Sequence, residues 1–204
     1  MEYILNRSTA ELVNRLKQEL LAEEPSVIEL YGDSGTGKTA MMQYLAEELH
    51  IYGKSTAIFS AAKYQRELME AIQSNNLAVF SRRFRENDVI VLDNFEDISS
   101  RNEATMSDIV SRFESKDYFR CRHMVLVHTG QEWYPLGQFH THVKRFELKN
   151  SRNWVTQLKY IQYCAMECHV YPVGWRDYWN LRKADFSEIR GYFMKKKLMG
   201  RLDE

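Results

Sequence analysis

Gly32-Asp33-Ser34-Gly35-Thr36-Gly37-Lys38-Thr39, the octapeptide GDSGTGKT, decides the fold of this chain. It fits G-x-x-x-x-G-K-[ST] at every position, and its flanks are of the kind the motif requires. SVIELY, Ser26 to Tyr31, reads as a buried strand, and TAMMQYLAEEL, Thr39 to Leu49, carries apolar residues at helical spacing. A strand, a glycine-rich turn and a helix in that order make a phosphate-binding loop. Gly32, Gly35 and Gly37 let the backbone curl around an anion with its N–H groups inward. Lys38 then meets the β and γ phosphates of a nucleotide, while the Thr39 hydroxyl, at the helix start, ligates magnesium. The whole octapeptide, Asp33, Ser34 and Thr36 included, is the expected seat of ATP or ADP with Mg2+.

The elements around the loop alternate. Ser8 with Glu11 reads as a capping box opening an amphipathic helix, TAELVNRLKQELLAEE, ahead of Pro25 and the first strand. KSTAIFS (Lys54 to Ser60) is a second strand. YQRELMEAI (Tyr64 to Ile72) and LAVFSRRF (Leu77 to Phe84) are helices joined by Ser74-Asn75-Asn76. DVIVLD (Asp88 to Asp93) is a third strand; a helix near Ser107 to Phe113, the strand HMVLVH (His123 to His128) and a short strand VKRFEL (Val143 to Leu148) follow. Strands this continuously apolar are covered on both faces, which predicts an α/β fold with a doubly wound parallel sheet. After Asn150 three helical stretches remain. The expected division is a nucleotide-binding α/β domain over 1–150 and a small helical lid over 151–204.

A second motif, DVIVLDNFED, delivers Asp93 to the carboxyl end of its strand, the edge where open α/β sheets bind ligands. Asp93 is therefore the second magnesium-orienting residue beside Thr39. The next residue is Asn94, which can orient water but is a far weaker proton acceptor than a carboxylate. Glu96 and Asp97 are nearby acids that stand off the usual spacing.

Lys plus Arg and Asp plus Glu both number 28 among 204 residues, so no global basic field marks the chain for nucleic acid. No apolar run approaches a membrane span and the start lacks the order of a signal peptide, so a cytoplasmic protein is expected. The three cysteines, Cys121, Cys164 and Cys168, are expected to be reduced thiols. His123, His128, His140 and His142 lack a carboxylate or cysteine at ligand spacing, and ordinary histidines are preferred over a metal site. Trp154, Trp175, Trp179 and Tyr178 are expected to pack the lid.

The stretch AAKYQRELMEAIQSNNLAVFSRRFRENDVIVLDNFED, with the loop before it and DFSEIRGYF near the end, resembles the AAA+ domain of the bacterial replication initiator DnaA and its shorter relative Hda. The resemblance implies a nucleotide-gated assembly module of chromosomal replication initiation or its regulation. It implies partners among replication proteins, whether initiator, helicase or sliding clamp, and it makes Thr129 the polar sensor of the γ-phosphate. Three departures stand out: Asn94 replaces the second acid, Ser187 stands where the lid carries its sensor arginine, and Gln138 falls at the arginine-finger position, with Lys144 or Arg145 as substitutes. Hydrolysis is accordingly expected to be slow, since a finger arginine contributes about 10³–10⁵ in rate.

Single-stranded DNA contact through Lys63, Arg66, Arg82, Arg83 and Arg85 is weighed against a merely solvated helical face. Sequence-specific duplex binding is not expected from a chain ending at Glu204. Tyr3, Ile4 and Leu5 are candidates for the adenine wall. A helicase-loading ATPase like DnaC or DnaI, and a non-hydrolysing replication adaptor, are the alternative readings.

Overall fold

Five apolar runs become parallel strands because helices cover both of their faces. The computed structural model describes residues 7–98, 103–114, 121–130, 143–149, 154–170 and 172–200. The strands β1 (Ser26–Tyr31), β2 (Thr56–Ser60), β3 (Val89–Asp93), β4 (His123–His128) and β5 (Val143–Glu147) form one sheet in the order β2-β3-β4-β1-β5. All four pairings are parallel.

The period-2 alternation of side chains sorts these strands into two cores. Ile28, Leu30, Val89, Val91, Val125 and Val127 face one way, against Val13, Leu16 and Leu20 of α1 (Arg7–Leu21) and Met41, Met42, Leu45 and Leu49 of α2 (Lys38–Ile51). Val27, Ile90, Leu92, Met124 and Leu126 face the other. They meet α3 (Ala61–Gln73), α4 (Leu77–Arg85) and α5 (Glu103–Glu114). The result is the three-layer, doubly wound α/β arrangement that the sequence pattern predicts.

Element ends differ from expectation where capping decides them. α1 already includes Arg7, so Ser8 lies inside its first turn rather than ahead of it. α3 begins three residues earlier than expected because the Ser60 hydroxyl accepts the Lys63 N–H at 3.3 Å and caps the helix. Its end is the expected Ser74-Asn75-Asn76 turn: Asn75 takes φ +52° and the Asn76 N–H returns to the Ala71 carbonyl at 2.7 Å.

The helices α6 (Trp154–Cys168), α7 (Trp175–Leu181) and α8 (Phe186–Gly200) close on a core of their own: Ile161, Cys164, Ala165, Cys168, Leu181, Ile189 and Phe193. The Gln157 amide ties α6 to the end of α7 by donating to the carbonyls of Leu181 at 2.8 Å and Ala184 at 3.0 Å. All three cysteines are free, and burial pushes the Cys121 thiol up to about 12 and Cys164 up to about 11. Two of the tryptophans expected to pack this unit do not. Trp175 is 74% exposed and Trp179 55%, because the inward face of the short α7 is taken by Asp177, Tyr178 and Leu181. The Trp154 side chain lies outside the described residues. Among the described residues no helix is long and apolar enough to cross a membrane.

Candidate nucleotide site

β1 lies inside the sheet with β4 on one side and β5 on the other, so the loop that leaves it emerges between neighbouring strand ends. Two approaches explain why this turn is built of glycine. A Cβ at Gly32 would lie 2.3 Å from the Leu148 carbonyl oxygen, just beyond β5, and one at Gly35, where φ is +73°, would lie 2.5 Å from the Asp185 carboxylate. These constraints come from the chain's own neighbours, not only from room for a phosphate. Gly37, with φ +93°, starts α2.

Lys38 is buried, and its Nζ donates to the carbonyls of Gly32 at 2.6 Å and Asp33 at 2.8 Å. Burial pushes its ammonium below the usual lysine range, opposed by the charges of Glu96, Asp93 and Asp33. The Thr36 hydroxyl donates to the Asp33 carbonyl at 2.9 Å, which stiffens the loop, and Ser34 lines its open side. Thr39 Oγ1 donates to Asp93 Oδ2 at 2.7 Å, and the Asn94 N–H closes onto Asp93 Oδ1 at 3.1 Å. The two residues expected to hold magnesium are thus in contact. A hydroxyl and a carboxylate are hard oxygen donors of the kind Mg2+ takes alongside phosphate oxygens and water, so this pair fits the metal. Among the described residues no group of three or more His, Cys, Asp or Glu forms a metal cage.

Ser34, Gly35, Gly37, Lys38, Thr39, Asn94 and Thr129 form one wall of a cleft of about 280 Å³. The opposite wall comes from the helical unit: Tyr160, Phe186, Ser187 and Arg190. Thr129, the expected sensor, donates its hydroxyl to Glu96 Oε1 at 2.7 Å. Arg190 was not foreseen from the sequence. It stands three residues after Ser187, hence on the same helical face one turn along, and pairs with Glu167 at 3.2 Å. That spacing was the available signal. Asp185 was missed as well, because nothing local in the sequence brings the start of α8 to Gly35.

Other expected residues fall elsewhere. Arg145 Nε lies 2.7 Å from the buried Glu29 carboxylate, which also takes His128 Nε2 at 2.8 Å, and Lys144 pairs with Glu19. Both substitutes for a finger arginine are therefore committed to carboxylates of their own chain. His123 is buried between the Ser26 hydroxyl and the Ala22 carbonyl, so it and His128 are structural links of the sheet. Lys63 pairs with Glu67 at 3.8 Å and Arg82 with Glu86 at 2.6 Å, each along its own helix, while Arg66 is exposed. Arg83 and Arg85 lie on α4, but their side chains are outside the described residues, as are Gln138, His140, His142 and the candidates Tyr3, Ile4 and Leu5.

Sheet order, loop and lid-facing cleft together define an α/β P-loop domain of the AAA+ kind. Residues 7–143 match the family model described as the bacterial DnaA ATPase domain, and the chain belongs to that family. It is 30% identical over 88 residues to the chromosomal replication initiator protein DnaA 2 of Protochlamydia amoebophila, an alignment covering 43% of this chain and 19% of that protein. A solved structure of replication initiator DnaA bound to AMPPCP and single-stranded DNA superposes with a TM-score of 0.69 at 21% identity, covering 97% of this chain and 64% of that one. The DnaC helicase loader is a more distant likeness, with a TM-score of 0.51 at 15% identity over 65% of this chain and 74% of that one. The chain thus spans about a fifth of the initiator it matches in sequence.

Proposed function

We propose that this chain is a DnaA-type, nucleotide-gated module of chromosomal replication initiation or its regulation. ATP or ADP with Mg2+ binds in the cleft between the 1–150 domain and the 151–204 lid. The observation that carries this reading is the convergence of buried Lys38 and the Thr39–Asp93 pair on one wall of a cleft whose other wall is the lid. Lys38 leaves its two loop carbonyls for the phosphates, Thr39 and Asp93 hold the metal, and the lid angle follows what the loop contains.

Turnover is slow, because the finger position, Gln138, carries no charge to stabilise the transition state. The setting is cytoplasmic, and the partners are replication proteins, with single-stranded DNA as a contact of α3 and α4. The helicase-loader reading draws on a likeness that is lower and covers less of the chain. Calorimetry with ATP and with ADP tests the proposal: the wild type binds and Lys38→Ala loses binding, since no other cation sits in the loop. Equal affinity in the two proteins would overturn it.

A further inference from the structure

We infer that Glu96 is the carboxylate that activates the attacking water in this chain, supplying the proton acceptor that Asn94 cannot. The inference rests on the nucleotide reading above. Its basis is how the backbone turns after Asp93. Asn94 adopts φ +52°, and the chain then winds into a single 3₁₀ turn over Phe95–Asp97. Phe95 and Ile98, three residues apart and 1% and 0% exposed, are the two anchors that enter the core. The intervening Glu96 is thereby forced outward, at the sheet edge where the loop lies.

There it meets Thr129, at the end of β4, whose hydroxyl donates to Glu96 Oε1 at 2.7 Å. Thr129 lines the cleft opposite the helical unit, so the carboxylate is fixed at the edge of that cleft. A spacing of three residues from Asp93 looks wrong along the sequence. The left-handed Asn94 and the tight turn bring its carboxylate to Thr129, a residue of the cleft wall.

In the step, water oxygen forms a bond to the γ-phosphorus while the bond from that phosphorus to the β,γ-bridging oxygen breaks, giving ADP and orthophosphate. One water proton passes to Glu96 and is later returned to solvent. Thr129 positions the carboxylate and leaves its second oxygen free for the water.

Phosphate release from ATP, read beside ATP affinity by calorimetry, tests the assignment. Glu96→Gln should lose about 10²–10⁴-fold in turnover, the usual contribution of a general base, with ATP affinity changed by less than about threefold. Asp97→Asn, altering the exposed neighbouring acid, should leave turnover as it is. Retained turnover in Glu96→Gln would overturn the inference. So would a wild type that binds ATP but releases no phosphate above the Lys38→Ala background. A wild type that binds no nucleotide would instead bring down the reading on which the inference rests.

Discussion

The Asp185 carboxylate rests against the backbone of Gly35, so the residue just ahead of α8 touches the glycine-rich loop. Asp185 also caps that helix: its Oδ1 accepts the Glu188 N–H at 2.8 Å, and the Glu188 carboxylate accepts the Asp185 N–H at 2.8 Å. One side chain thus caps α8 and places a negative charge at the rim of the proposed phosphate site.

Asp185→Asn should therefore tighten nucleotide binding. Asparagine keeps the capping oxygen and removes the charge that opposes incoming phosphate. The expected gain is about fivefold in affinity for ADP, roughly the 1 kcal/mol of a partly exposed charge contact. Calorimetry at low salt reads it. Weaker binding in the variant would mean that the carboxylate clamps the lid in place instead.

Much of this architecture was legible because each strand is a run too apolar for any place but a covered sheet. SVIELY and HMVLVH become β1 and β4 at their expected bounds, and the loop motif needs no tertiary information. Contacts made across the cleft were not legible. Asp185, Arg190 and Tyr160 reach the site through the packing of α6 against α8, which no local period encodes. Glu96 was visible as a nearby acid, but its use depends on a positive φ at Asn94 that the sequence does not announce. Trp175 and Trp179, expected to pack the lid, stay exposed, and Asp177 takes the inward place. Its carboxylate accepts from the Gly174 N–H, the Tyr192 hydroxyl and Lys196, contacts that offset its burial.

Among the described residues Arg190 is the cationic side chain that the helical unit brings to the cleft, so it should distinguish ATP from ADP. Its pair with Glu167 is exposed and weak, leaving the guanidinium available to a third phosphate. Arg190→Ala should cost about tenfold in ATP affinity and distinctly less in ADP affinity, about 1.4 kcal/mol for the difference of one charged contact. Parallel titrations of the two nucleotides measure this directly. Equal losses for both would place Arg190 in lid packing rather than at the terminal phosphate.

His123 gives the fold a dependence on mildly acidic pH. The Ala22 carbonyl can only accept, so Nε2 carries the proton at 3.0 Å and Nδ1 accepts from the Ser26 hydroxyl at 2.9 Å. Burial first, with Lys54 and Arg122 adding to it, holds the ring's pKa below its ordinary value of 6.5. The unfolded chain then binds more protons at His123 than the folded one once pH drops below about 6.5, so stability falls with pH from there down to the depressed folded value. Urea midpoints should decline between pH 7 and 5.5, by less in His123→Asn. An equal decline in both proteins would assign the acid sensitivity to other groups.

Arg82 is the basic residue on α4 whose availability to single-stranded nucleic acid is most directly testable. It is exposed and pairs with Glu86, one turn along the same helix, a solvent-screened contact readily exchanged for a phosphate. Lys63, on the adjoining α3, stands in the same relation to Glu67. If both neutralise phosphates, affinity for oligo(dT) falls with salt, and each contact adds about 0.7 to the logarithmic slope. Arg82→Ala should weaken binding and flatten that slope by about 0.7, with nucleotide affinity untouched, because among the described residues none of α4 lines the cleft. Fluorescence anisotropy over a salt series supplies both numbers. A slope unchanged by the substitution would leave these side chains as a solvated helical face and move any strand contact elsewhere on the chain.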